Sequence, residues 1–153
     1  MNAEIHRVRA DDFHEQSKRF WLQAHNLEKQ TERERILLIS KGIDAKIFLV
    51  IRHVFTLTQP VIAEFANIST STLERKIKNN DKLDVVASER VDRLMQIALQ
   101  AEDVFEDRQV AIQWMGEKNK SLGDETPISL CRTELGARQV RRVLNAIEWG
   151  GAL

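Results

Sequence analysis

The stretch that most restricts what this chain can fold into runs from Leu57 to Ile77, LTQPVIAEFANISTSTLERKI. Its periodicity predicts two short helices, over Gln59–Ala66 and Thr72–Asn79, with only a tight turn between them. Helices joined so closely must cross steeply, and they need a small residue where they touch; Ala63 is one. The turn needs a left-handed backbone, which asparagine tolerates better than most residues, and Asn67 stands there. Ile68 is apolar and placed to fill the angle between the helices. Ser71 and Glu74 have the spacing of a capping box that starts the second helix. Together these features describe a helix-turn-helix.

Within the second helix, Leu73 and Ile77 lie one turn apart and are expected to face inward. That leaves Ser71, Thr72, Arg75, Lys78 and Asn79 on the opposite face. Side chains of these types contact base edges and phosphates in the major groove. Gln59 opens the preceding helix, where its side chain and backbone N–H are placed to meet a phosphate. These six residues are the candidate DNA contacts. From the segment alone, an ordinary helical hairpin with a solvated polar face is the alternative.

Charge restricts where nucleic acid can sit. The chain's 23 Lys and Arg balance 23 Asp and Glu, so it is no general polyanion binder and any contact must come from a local patch. Residues 59–83 carry a net +1, while residues 84–153 carry a net −3. The C-terminal part is therefore not expected to touch nucleic acid. A net +1 is modest for one copy, and a dimer doubles the contacts.

The rest of the chain reads as helix. Only 2 Pro and 6 Gly interrupt it, Tyr is absent, and 42% of its residues are hydrophobic, enough to fill a core. Residues from about 11 to 41 carry Phe13, Phe20, Trp21, Ala24 and Leu27 at helical spacing. Thr31 and Glu34 form a capping box leading into Ile36–Ile39, a run that also suits a short buried strand, and Gly42 ends the segment. A helix over Asp44–Phe55 is expected to turn Ala45, Phe48, Leu49 and Val54 inward. A long helix follows from Ser88 to Phe105 with Val91, Leu94, Met95, Ala98, Ala101 and Phe105 on one stripe, and then a helix over Arg108–Met115. Residues 116–124 read as a polar loop. Thr126 caps a short helix with Pro127 in its first turn. The last helix, Ala137–Trp149, places Val140, Val143, Leu144 and Ile147 on one face and is stopped by Gly150 and Gly151.

Several function classes find no support. Cys131 is the only cysteine, so no internal disulfide forms and a reducing compartment is expected. The first residues lack the apolar stretch of a signal peptide, and the longest apolar run, Ile47–Ile51, is too short to span a bilayer. A cytoplasmic protein with no membrane partner is the expectation. His6, His14, His25 and His53 lack metal-ligand spacing, no glycine loop suits phosphate, and Cys131 has no activating neighbour. No catalytic residue, metal or cofactor is expected, and the chain is not read as an enzyme.

Leu122-Gly123-Asp124-Glu125-Thr126-Pro127-Ile128, Thr133-Glu134-Leu135-Gly136, Trp114, Val140, Leu144, Ile147 and Gly150, taken with Thr72-Leu73-Glu74-Arg75, resemble a known family. The match is to the Xre/ParS-type antitoxins of type II toxin–antitoxin pairs, over about residues 42–150. The chain departs from the family pattern at Asn67 and Asp124, where glycine is usual, and at Met115–Gly116 after the tryptophan. The resemblance implies an all-α fold, with an Xre/Cro-like helix-turn-helix bundle followed by a small helical toxin-binding domain. It implies a cognate toxin partner, a RES-type NAD-degrading enzyme whose active-site cleft the C-terminal region covers, and repression of the chain's own operon through operator DNA. Action as a homodimer or within a larger complex also follows from it.

The residues themselves are compatible with that division. Trp149, Ile147 and Leu153 form an apolar end beside Gly150 and Gly151, and an aromatic on a short tail suits an interface. Arg138, Arg141 and Arg142 are expected to be exposed on the last helix, able to meet an acidic surface. Arg138, Arg141, Arg142, Trp149, Gly150, Gly151 and Leu153 are thus the candidate toxin contacts, with Ile147 and Trp114 assigned to the core. The expected organisation is an N-terminal helical extension over 1–43, the helix-turn-helix over 44–87 and the toxin-binding domain over 88–153. A plain helix-turn-helix regulator whose C-terminal half only dimerises is the alternative, and a scaffold without DNA binding a third.

Overall fold

The computed structural model describes residues 2–150, with side chains from residue 9 onward. Among them are nine α-helices, one 3-10 turn and no strand. α1 (Asn2–Glu28) is longer than the periodicity suggested, and its Phe20, Trp21, Ala24 and Leu27 are buried. Phe20 meets Trp21 and Phe55 edge-on, with ring centroids 5.3 and 5.4 Å apart.

α2 (Glu32–Lys41) starts at the expected capping box. Thr31 Oγ1 accepts from the Glu34 N–H at 3.2 Å, and the Glu34 carboxylate accepts from the Thr31 N–H at 2.7 Å. The run Ile36–Ile39 is therefore helix and not strand. Gly42 ends it at φ +90, where a side chain is doubly excluded: a Cβ would stand 2.3 Å from the Leu83 carbonyl oxygen.

α3 (Ile47–Val54) begins later than Asp44. The backbone before it is held against the segment after α5, with Ala45 N–H on Asp81 O at 3.1 Å and Leu83 N–H on Ile43 O at 2.8 Å. Ala45, Phe48 and Val54 are buried as expected. Val50 and Ile51 face the core, whereas Leu49, expected inside, is exposed. α4 (Gln59–Ala66) and α5 (Thr70–Lys78) follow as the predicted pair.

α6 (Val85–Phe105) is the axis of the molecule and packs against α1, α2, α4, α7 and α9. It starts before the expected Ser88 because Asp84 caps it, accepting from the Ala87 N–H at 2.8 Å. Val91, Leu94, Met95, Ala98 and Ala101 are buried as the stripe predicts, and Phe105, at its end, is partly buried against the same core. Ser88 is buried too and accepts from the Ile43 N–H at 3.0 Å.

α7 (Arg108–Gly116) takes in Gly116, which was expected in the loop. Beyond a 3-10 turn over 120–122, Gly123 and Asp124 are both left-handed, at φ 69 and 62. An aspartate is among the few other residues suited to that conformation. α8 (Pro127–Leu130) is capped by Thr126 as expected. α9 (Glu134–Glu148) starts earlier than Ala137, because Thr133 caps it by accepting from the Gly136 N–H at 3.0 Å. Gly136 itself is needed for close approach: a Cβ there would lie 2.1 Å from the Leu130 carbonyl oxygen. Val140, Val143 and Leu144 are buried, and Ile147 and Trp114 are partly buried against the same core.

Candidate nucleic-acid and protein interfaces

The turn between α4 and α5 has the predicted chemistry. Asn67 is left-handed at φ 60 and ψ 37, Ala63 is buried at the crossing, and Ile68 packs against the core. The predicted Ser71–Glu74 capping box is not formed. Ser69 caps α5, accepting from the Thr72 N–H at 3.2 Å. Ser69 wins because its backbone is still extended, at φ −67 and ψ 154, as an N-cap must be, whereas Ser71 already lies inside the helix. The Ser69 hydroxyl also donates to Thr72 Oγ1 at 2.7 Å, which fixes that side chain.

α5 buries Leu73 and partly buries Ile77. Ser71, Arg75, Lys78 and Asn79 are exposed on the other side, with Thr72 at the edge. Lys76 is turned away from that face, its ammonium donating to the Lys82 carbonyl at 3.3 Å. Glu74 is exposed between Ser71 and Lys78 and accepts from the Gln59 amide at 3.5 Å. Gln59 is half-buried and its side chain reaches toward α5. The sequence had marked Glu74 only as a cap. With Leu73 and Ile77 fixed inward, its place on the helical wheel already put it at the rim of the polar face.

The C-terminal face is built on α9. Leu135 is 71% exposed and Trp149 85% exposed, with Arg138 and Arg142 exposed between them. Arg141 differs from the expectation. It is half-buried and donates to Glu134 at 2.7 Å, and Arg93 reaches the same carboxylate at 3.2 Å. The hydrogen bond from Arg141, with its charge and that of Arg93, outweighs burial and holds the Glu134 carboxyl below its ordinary pKa. Gly150 closes the helix at φ 69, its N–H on Ile147 O at 3.0 Å. Gly151 and Leu153 lie outside the described residues.

Between the two faces run links the sequence did not announce. Arg93 donates to the Cys131 carbonyl at 3.1 Å, and Arg90 to the Phe65 carbonyl at the end of α4 at 3.0 Å. Such arginines match no local motif, since their partners lie far off in sequence. Cys131 is buried, and burial pushes its thiol up to about 12, so it stays protonated and packs as a small apolar group. No helix among the described residues is long and apolar enough to cross a membrane.

Comparison with known proteins accounts for both halves. Residues 34–96 match the antitoxin Xre-like helix-turn-helix domain. Residues 100–150 match the antitoxin Xre/MbcA/ParS C-terminal toxin-binding domain. The chain is 32% identical over 129 residues to the Prs ADP-ribosylating antitoxin of Sphingobium sp. (strain YBL2), covering 76% of this chain and 79% of that one. It is 29% identical over 114 residues to the antitoxin Xre of Photorhabdus laumondii, covering 74% and 77%.

Proposed function

The chain belongs to the Xre/MbcA/ParS family of antitoxins, and from that premise we propose that it neutralises a RES-type, NAD-degrading toxin by steric blockade and represses its own operon. The observation that carries the blockade is Trp149, left 85% exposed at the end of a helix whose opposite face is buried. A large aromatic held outside the core gains most by filling a partner's pocket. Arg138, Arg142 and Gly150 complete that surface, Arg141 joins it from its position beside Glu134, and Gly151 and Leu153, outside the described residues, are proposed as contacts from the sequence alone. The organisation is an extension over 1–43, a DNA-reading part over 44–87 and a toxin-binding part over 88–153.

Operator binding falls to α5. Arg75 and Lys78 face outward with Ser71, Thr72 and Asn79, and Gln59 opens the facing helix. As a homodimer, or within a larger toxin complex, two such helices reach successive half-sites and double a net charge too small to bind well alone. The protein is assigned to the cytoplasm and to no catalytic role.

A second reading concerns the toxin only. The relative from Sphingobium carries ADP-ribosylating in its name, which favours a toxin that splits NAD and passes the ADP-ribosyl group to a protein.

Co-expression with the protein encoded beside this chain's gene tests these readings. Growth arrest with NAD loss, both reversed by this chain, supports the NAD-degrading toxin. Arrest with ADP-ribose found on a cellular protein selects the second reading. A harmless neighbour leaves a plain helix-turn-helix regulator with a C-terminal dimerisation domain. Deleting residues 149–153 is expected to release the toxin and spare operator binding, whereas replacing Arg75 and Lys78 by Ala does the reverse.

A further inference from the structure

We propose that Glu74 reads the exocyclic amino group of a cytosine in the bound DNA, and that Gln59 positions its carboxylate for that contact. The inference rests on α5 entering the major groove.

Glu74 is exposed on α5, in the same row as Ser71 and Lys78. At roughly 100° per residue it stands about 60° from Ser71 and about 40° from Lys78. Its contact with Gln59 marks that edge as the one facing the start of α4. A carboxylate there opposes the phosphates and halves an already small charge advantage, so it weakens non-specific binding. The other acidic side chain of the two helices, Glu64, is taken up by Arg132. Among the described residues Glu74 has no ion-pair partner, although Lys78 follows one turn on. Its one side-chain hydrogen bond comes from the neutral Gln59 amide and uses a single oxygen.

An ionised carboxylate only accepts hydrogen bonds. In the major groove the donors are the amino groups of cytosine and adenine. Adenine sets its N7 acceptor beside the donor, which repels a carboxylate. Cytosine presents the donor with no acceptor of its own in that groove, so the free oxygen of Glu74 selects cytosine. The Gln59 amide, 3.5 Å from the other oxygen, biases the carboxylate toward that edge of α5.

The test is selection from a randomised duplex library with the full-length chain, comparing the unaltered protein with Glu74→Ala, Glu74→Gln and Gln59→Ala. The expected result is a cytosine preference of about tenfold at one position of each half-site. Glu74→Ala removes that preference and leaves the other positions unchanged. Glu74→Gln moves it toward adenine, the usual partner of an amide. Gln59→Ala weakens it. If Glu74→Ala and Glu74→Gln enrich the same sequence as the unaltered chain, with affinity merely raised, Glu74 is a solvated charge and the proposal is overturned. If the unaltered chain enriches nothing, DNA reading by α5 fails and this inference falls with it, a result distinct from the first.

Discussion

The guanidinium of Arg132, in the link between α8 and α9, bonds the carboxylate of Glu64 on α4, 68 residues away in the chain. With Arg90 on the Phe65 carbonyl, it fastens the first helix of the DNA-reading pair to the C-terminal part. Both partners are substantially exposed, Arg132 at 41% and Glu64 at 67%. Pairs of this kind contribute about 0.2–1 kcal/mol. A double-mutant cycle of Arg132→Ala and Glu64→Ala, followed by urea unfolding, is expected to give a coupling in that range that fades at high salt. Zero coupling at low salt would mean that the contact contributes nothing in solution.

Arg35 and Asp92 make a different kind of pair. Arg35 donates twice to the carboxylate, at 3.0 and 2.5 Å, and its hydrogen bond to Asp92 raises the arginine's pKa despite burial. Asp92 is only 7% exposed. α2 has no buried residue of its own, so this fork and the partial packing of Leu38 hold it against α6. Asp92→Ala is expected to cost about 3 kcal/mol and to strip hydrogen-exchange protection from residues 32–41 first. Protection lost evenly through the molecule would show that α2 does not depend on this anchor.

The sequence made the helix pair legible because its signals are local. Asn67, Ala63, Thr31 with Glu34, and Thr126 with Pro127 each act on their own neighbours, and each does what its chemistry suggests. Errors arose where a distant contact decided the outcome or where two local caps competed. Asp44 was read into α3, yet the backbone beside it is tied to Asp81 and Leu83. Ser71 looked like a cap, but Ser69, equally suitable by type, held the extended backbone. Arg141 was read as free because the helix was started at Ala137; with Thr133 capping it, Glu134 lies two turns before Arg141 on the same face, and only the tie to Arg93 on another helix leaves no local trace. The exposure of Trp149 followed from its place past the last buried turn.

Gly136 turns a sequence pattern into a steric requirement. Any side chain there meets the Leu130 carbonyl, a backbone atom that cannot rotate away. Gly136→Ala therefore has to push α9 off α8 or unwind its first turn, at a cost of about 1–3 kcal/mol. Thermal unfolding should show the loss, and binding to the toxin should weaken with it, because α9 carries the proposed contacts. An unchanged melting temperature would mean that α8 gives way freely. Gly116→Ala is the matched control: no atom lies within 4 Å of a Cβ placed there, so the change is expected to be neutral or slightly stabilising.

Glu134 sets a pH dependence whose direction follows from its two arginines. Its carboxyl lies below its ordinary value of 4.5 in the folded chain, first through the hydrogen bond from Arg141. On acidification the unfolded chain takes up this proton before the folded chain does. Its stabilising contribution is therefore fully present above the ordinary value and is lost as pH falls through the folded one. Glu134→Gln removes the titration. At neutral pH the variant is expected to be slightly less stable than the unaltered protein, the site being half exposed. The gap should close on going from about pH 5 to pH 3. Urea unfolding at stepped pH measures it directly. A gap constant across that range would assign the loss to the changed hydrogen bonding of the amide, and the carboxylate charge would then contribute nothing to holding Arg93 and Arg141 together.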